Sequence, residues 1–208
     1  IGILAYGLSD NIGQFIAKLW IWDWGKETYT TISNVIGGLS IIVLGFILYK
    51  HIIMALSAPF MSSVSEKIET HFLGTPNQGH RKTSFNQQLW RGIKINLRNL
   101  SLEFLWTIPI FLLGFIPVIG VISSILLFLV QAYYAGFGNM DYTLERHFNY
   151  KESIQFVKQQ KGIAIGNGIV FMLCLLIPVL GVILVLPLSV TAASKETVSL
   201  LQSKNHYN

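Results

Sequence analysis

The chain has 208 residues, of which 52% are hydrophobic and only 12% are charged, with a formal net charge of +5. Soluble domains carry roughly a quarter charged residues, so this composition predicts a single membrane domain, 1–208, rather than a nucleic-acid-binding protein. We expect the basic excess to face anionic membrane lipid. The single cysteine, Cys174, excludes a disulfide within the chain and is interpreted as a small hydrophobe.

The first 60 residues predict one complete membrane span and part of another. Ile1–Leu8 is apolar but too short to cross a bilayer, so we expect a first transmembrane helix that is truncated at its N-terminus. Three tryptophans between residues 20 and 24 are typical of the membrane–water boundary. The stretch from residue 34 to residue 60 is long enough to span, and Pro59 marks its end.

Between residues 61 and 103 the chain is polar and amphipathic. Apolar residues recur every three or four positions, which predicts two helices separated by a loop from Gly74 to Ser84. On the second helix, Arg91, Lys94 and Arg98 lie at helical spacing away from the apolar stripe. Side chains of this type can bind an anion. The alternative is that they face lipid headgroups.

A short motif occurs twice, 61 positions apart. Ile116–Val121 and Ile177–Val182 each place a proline three residues before a glycine in a charge-free stretch, a combination that breaks helices. The two breaks predict an all-α protein with helical hairpins at about 104–138 and 163–194. We assign four residues to the hairpin turns: Pro117, Gly120, Pro178 and Gly181.

The arms of these hairpins look short. Three of the four extend for only 9 to 13 residues, or at most about 20 Å of helix, whereas a bilayer core is ~30 Å thick. We therefore predict hairpins that enter the membrane partway and return to the same side, with their irregular turns buried in protein. Two proline-kinked helices that cross completely are the alternative.

Charge counting orients the chain. The stretches 61–103 and 139–162 contain six and four Lys or Arg residues, against two in 9–33. The positive-inside rule places both stretches in the cytoplasm and the tryptophans outside. A helix opening near Tyr150, with Asn149 and Glu152 as its cap, lies in the second stretch.

Other polar residues have structural interpretations. Glu103, at the mouth of the first hairpin, is expected to pair with Arg98 or to meet the anion. We expect an ion-pair cluster of Asp141, Glu145 and Arg146. Gln131 is expected to form a hydrogen bond between helices. The histidines lack metal-binding spacing, and no triad or phosphate loop is evident, so we expect no metal, no cofactor and no enzyme activity.

Several runs of the sequence resemble one protein family. Ser57–Phe60 followed by an amphipathic helix, then Phe115–Gly120, Asp141-Tyr142 and the block 162–194, are similar in order and spacing to the CysZ sulfate-transporter family, which is related to the etoposide-induced membrane proteins. The resemblance implies a multi-pass, oligomeric protein of the bacterial inner membrane. Its fold would combine long transmembrane helices with two partly penetrating hairpins and amphipathic cytoplasmic helices.

The resemblance also implies a function. Such a protein takes up sulfate, or sulfite, as a transporter or channel that feeds cysteine biosynthesis; a non-transporting membrane scaffold or stress-related protein is the alternative. The family's Gly-Leu-Arg-like anion-binding turn would precede this sequence. On the helix before the first hairpin, Arg91, Lys94 and Arg98 stand in the family's charged cluster, and Asn96 occupies the position of an acid. The resemblance therefore makes these four residues candidates to line an anion path.

Overall fold

The computed structural model describes residues 41, 44–45, 47–74, 81, 83–114, 119–175, 177 and 180–203. Four features of the sequence analysis lie outside the described residues: the predicted first helix, the tryptophan cluster, Pro117 and Pro178. The chain divides into two compact units, residues 1–50 and 51–208. The contacts discussed below all lie within the second unit.

The described residues form helices, which confirms the all-α prediction. In chain order these helices are α1 (Ile47–Leu56), α2 (Ala58–Leu73), α3 (Phe85–Leu113), α4 (Ile119–His147), α5 (Tyr150–Gln159), α6 (Lys161–Leu175) and α7 (Leu180–Ser203).

Local sequence signals fix several of the helix ends. Gly74 ends α2 with φ of 68°, a left-handed conformation that favours glycine. The backbone N–H of Ser84 donates to Gln87 Oε1 at 3.1 Å at the start of α3. Asn149 Oδ1 accepts from the backbone N–H groups of Lys151 and Glu152 at 2.9 and 3.1 Å, which opens α5. Both predicted caps are confirmed.

The first hairpin is longer than the sequence predicts. Helix α3 runs without interruption through Phe104, and α4 continues nine residues beyond Gly138. The two helices are antiparallel, because Gly114 lies near Ser123 at one end and Arg91 bonds Asp141 at the other. Each helix has 29 residues and is therefore about 43 Å long.

Among the described residues, two helices, α4 and α7, are long and apolar enough to cross a membrane. The α1–α2 pair, bent by 65°, would be a third if it forms one span, and α6 is a shorter apolar helix. The prediction that the last hairpin arm is too short is therefore wrong, because α7 extends well past Ala193. Gly120 and Gly181, which the sequence assigns to the hairpin turns, lie in the first turns of α4 and α7.

Helix α4 lies at the centre of the bundle. From Ala132 to Arg146 every residue except Tyr133 is buried, and α4 contacts α2, α3, α5, α6 and α7. A Cβ atom added to Gly136 would lie 1.8 Å from the Ala164 carbonyl oxygen, and one added to Gly168 would lie 1.7 Å from that of Ala132. Alternating small residues on both helices thus allow α4 and α6 to cross in close contact.

The far end of the first hairpin has the opposite character. We call it the tip, residues 105–114 and 119–126, and many of its large apolar side chains are exposed: Leu105, Trp106, Ile108, Phe111, Leu112, Leu113, Ile119, Val121, Ile122, Ile125 and Leu126. A soluble protein rarely exposes so continuous an apolar surface. The tip is therefore suited to a lipid environment.

Candidate anion site

Buried polar side chains form a layer at the opposite end of the first hairpin from the tip. We call it the basal layer; it comprises Ser62, Ser65, Glu69, Arg91, Asp141, Thr143, Glu145, Arg146 and His147. It joins α2, α3 and α4, and its Thr143 hydroxyl also donates to Ser194 Oγ of α7 at 3.0 Å. Buried polar groups need such partners, so the layer fixes how these helices meet.

Arg91 is occupied within this layer. Its Nε and Nη2 atoms donate to the two carboxylate oxygens of Asp141 at 3.0 and 2.9 Å, Nη1 donates to the Phe148 carbonyl at 2.8 Å, and Nη2 also donates to Ser153 Oγ at 2.6 Å. Burial opposes the charge, but the Asp141 carboxylate outweighs it and raises the pKa of Arg91 above its usual value. Arg91 is a charged structural anchor with every guanidinium nitrogen in use.

The predicted ion-pair cluster of Asp141, Glu145 and Arg146 takes a different form. Arg146 donates to Glu69 Oε2 through Nε at 3.1 Å and Nη2 at 2.8 Å, and Glu145 accepts from the Ser62 hydroxyl. On α4 these side chains point to different neighbours and bond across helices rather than to one another. The partners of these side chains lie about 50 to 84 positions away in the sequence, so spacing along α4 does not indicate them.

Asn96 and Glu103 belong to a separate buried contact. His51 Nδ1 lies 3.2 Å from Asn96 Oδ1, and His51 Nε2 lies 2.8 Å from Glu103 Oε2. The amide nitrogen of Asn96 donates to the Gly92 carbonyl at 2.9 Å, which orients its oxygen toward the imidazole. The expected pairing of Glu103 with Arg98 is therefore replaced by a histidine contact.

Arg98 reaches a different environment from its neighbours on α3. One guanidinium nitrogen donates to Asn99 Oδ1 at 2.9 Å, and the group lies 5.2 Å from the centre of the Phe137 ring. It opens into a cavity of about 620 Å³, which we call the cationic cavity. The polar end of that cavity is formed by Arg98, Tyr133, Tyr134, Lys158 and Lys161.

Three cations from three helices converge there. Lys158 and Lys161 come from the end of α5 and the start of α6, where Gln160 interrupts the helix with φ of −113°. None of the described residues that line the cavity is acidic. Side chains with this charge and hydrogen-bonding capacity, facing a common space, can hold an anion of two negative charges.

Lys94 lies apart from this cavity. Its ammonium group sits 4.3 Å from the centre of the Tyr150 ring, in a groove of about 370 Å³ that Arg81, Arg91 and Glu145 also line. Because Arg91 is already paired and Glu145 is acidic, this groove has a mixed charge. The candidates Arg91, Lys94, Asn96 and Arg98 therefore occupy distinct environments although one helix carries all four.

Sequence reasoning misses most of the cationic cavity. By spacing alone, Lys158 and Lys161 belong to a polar stretch, and nothing in the pattern distinguishes Tyr133 and Tyr134. The available signal is the position of Lys158 and Lys161 at the entrance of the second hairpin. If the two hairpins pack side by side, these lysines face the first hairpin. Gln131 is half-buried on α4, and its interhelical hydrogen bond stays a prediction.

Comparison with known proteins gives a consistent result. A protein-family model described as "Sulfate transporter CysZ/Etoposide-induced protein 2.4" matches residues 1–186. A "Sulfate transporter CysZ" of Pseudomonas fluorescens strain Pf-5 is 27% identical over 148 residues, which cover 67% of this chain and 56% of the relative. Another, from strain Pf0-1, is 25% identical over 151 residues, covering 72% and 60%. The matched region is thus less than two thirds of either relative.

Proposed function

Because the chain belongs to the sulfate transporter CysZ/etoposide-induced protein 2.4 family, we propose that it lets sulfate cross a membrane and that the anion binds in the cationic cavity. The observation that carries the proposal is the convergence of Arg98, Lys158 and Lys161 on a space with no acid among its described lining residues. A positively charged site of this kind suits sulfate, the anion in the names of the two relatives.

The chemistry of the cavity suits transient binding. Sulfate must exchange part of its hydration shell for protein donors, yet the site must release it again. A guanidinium offers a planar pair of N–H donors, lysine ammonium groups adapt their position, and tyrosine hydroxyls add neutral donors. Since liquid water occupies about 30 Å³ per molecule, 620 Å³ leaves room for a partly hydrated sulfate.

The proposal narrows the four candidates on α3 to Arg98. Arg91 uses each of its three guanidinium nitrogens within the protein, for Asp141, Ser153 and the Phe148 carbonyl. Lys94 and Asn96 are engaged with Tyr150 and His51. We assign those three residues to the scaffold around the path.

Further properties form part of the same proposal. We place the protein in the bacterial inner membrane as a multi-pass homo-oligomer, with the Lys- and Arg-rich stretches on the cytoplasmic side. The hairpin turns are shielded by other copies or by the remaining helices, and sulfite is a second transported anion. Uptake would serve cysteine biosynthesis.

Uptake into proteoliposomes tests the function. Vesicles that contain the protein should accumulate labelled sulfate faster than protein-free vesicles, and added sulfite should slow the accumulation. Sulfate entry no faster than leakage into protein-free vesicles, with protein shown to be folded and inserted, would contradict transport and favour a non-transporting membrane scaffold.

A further inference from the structure

The cationic cavity has a second half that an inorganic anion does not need. Beyond the cations it is lined by Leu102 and Trp106 of α3, Leu126, Leu129 and Val130 of α4, and Ile165 of α6. Trp106 lies eight residues beyond Arg98, or roughly 12 Å along the helix. On the antiparallel α4, Leu126 lies seven residues before Tyr133, or roughly 10 Å in the same direction. Charge is therefore confined to one end.

This distribution matches an amphiphile. The polar end would meet a headgroup carrying negative charge, and the apolar end, where Trp106 and Leu126 are 55% and 42% exposed, continues into the lipid-suited tip. The polar end also belongs to the stretches that charge counting assigns to the cytoplasmic interface, where anionic headgroups are concentrated. Convergence of cations from α3, α5 and α6 distinguishes this cavity from the mixed-charge groove beside Lys94.

We infer that the cationic cavity also binds an anionic phospholipid, with the phosphate at Arg98, Lys158 and Lys161 and an acyl chain along the apolar half. Lipid binding does not depend on the proposed function. Its consequence does: because the phosphate and a transported sulfate would use the same cations, anionic lipid competes with sulfate and lowers uptake at low sulfate concentration.

The binding experiment uses purified protein in detergent micelles mixed with phosphatidylglycerol or phosphatidylcholine, and native mass spectrometry counts the lipids retained. We expect retention of phosphatidylglycerol over phosphatidylcholine. Removing one cavity charge, by Arg98→Gln or Lys161→Gln, should weaken phosphatidylglycerol binding about fivefold. The matched control Lys94→Gln removes a cation from the other groove and should leave retention unchanged. Equal losses of phosphatidylglycerol retention in all three variants would show that general surface charge causes the effect, which would overturn the inference.

The apolar half is tested separately. Val130→Trp should fill it and reduce phosphatidylglycerol retention, while sn-glycerol 3-phosphate, which has no acyl chain, should displace the lipid only at far higher concentration. Displacement by glycerol phosphate at concentrations comparable to the lipid would identify a free-anion site instead and contradict the lipid assignment. Each variant is compared only if it remains monodisperse on size-exclusion chromatography.

Uptake separates the two proposals. Adding phosphatidylglycerol to phosphatidylcholine vesicles should raise the sulfate concentration needed for half-maximal uptake and leave the maximal rate unchanged. Lipid retention without sulfate uptake would overturn the proposed function alone. The lipid inference alone would be overturned by a protein that takes up sulfate but retains phosphatidylglycerol no better than phosphatidylcholine, and whose half-saturating sulfate concentration does not change with that lipid.

Discussion

The basal layer and the tip of the first hairpin invert the usual arrangement of a soluble protein. In the basal layer, charged and polar side chains are buried: Glu69 is fully inaccessible and Arg146 is 6% exposed. At the tip, Val121 is 70% exposed and Leu105 is 64% exposed. Apolar groups outside and paired polar groups inside suit a solvent of lipid, in which hydrogen bonds and close helix contacts replace hydrophobic burial between helices.

The comparison also indicates which region specifies the fold. A buried ion pair contributes little net stability over apolar residues of similar volume, but removing one partner leaves an uncompensated charge. We therefore expect substitutions in the basal layer and at the α4–α6 crossing to be costly. Substitutions of exposed tip residues should have little effect on the purified protein.

The largest expected effect is at the helix crossing. Gly168→Val adds a Cβ atom only 1.7 Å from the Ala132 carbonyl oxygen, so α4 and α6 must separate. We expect loss of the monodisperse protein on size-exclusion chromatography. Gly166→Val is the control on the same helix, since no atom lies within 4 Å of its Cβ position. Similar behaviour of the two variants would contradict the close crossing.

Breaking the buried ion pair should be the next most damaging change. Asp141→Leu leaves Arg91 charged and without its carboxylate, which we expect to cost about 3–5 kcal/mol in the free energy of unfolding. Denaturant unfolding followed by tryptophan fluorescence measures the change. Arg91→Leu added to that variant should restore part of the loss; no recovery in the double variant would show that the two side chains do not act as a pair.

A single hydrogen bond between α4 and α1 should contribute less. The Tyr142 hydroxyl donates to the Met54 carbonyl at 2.6 Å, and Tyr142 is 3% exposed. Tyr142→Phe removes that donor, and we expect a loss of about 1 kcal/mol in the same unfolding assay. Tyr133→Phe, on the half-buried side of α4, is the comparison variant. If Tyr133→Phe lowered the free energy of unfolding more than Tyr142→Phe, the burial of the hydroxyl group would not predict its contribution to stability.

The smallest effect is expected at the tip. Val121→Ser should change the free energy of unfolding in detergent by no more than about 0.5 kcal/mol, because the side chain is exposed. Ser123, two residues along, is buried beside Gly114, so Ser123→Leu should overpack the hairpin by about 1–3 kcal/mol. A larger loss of unfolding free energy for Val121→Ser than for Ser123→Leu would contradict the exposure of the tip.

The local features are predictable from sequence, and the long-range ones are not. The caps at Ser84 and Asn149 depend on residues close to them in the sequence, and the apolar stretches indicate membrane helices. The boundary predicted at Phe104 lies inside α3, because the polarity of the sequence changes there while the helix continues. The last arm looks short in the sequence because Lys195 and Glu196 end its apolar stretch, although both lie within α7.

The candidate site is predictable only in part for the same reason. Helical spacing places Arg91, Lys94 and Arg98 near one another, but their environments depend on side chains brought from α4 and α5. Asp141 lies 50 residues from Arg91, and Lys158 lies 60 residues from Arg98. Spacing in the sequence identifies which residues share a helix, but it does not identify which other helix packs against them.

The most direct test of the central claim, that sulfate binds where three cations converge, is labelled-sulfate uptake by a charge series. Arg98→Gln should slow uptake at low sulfate, the Arg98→Gln/Lys161→Gln variant should slow it further, and adding Lys158→Gln should reduce it to the protein-free rate. A matched series that neutralises Lys94, Lys151 and Lys195 removes the same number of charges and should retain most of the activity. Equal losses in the two series, or undiminished uptake by the triple cavity variant, would contradict the account.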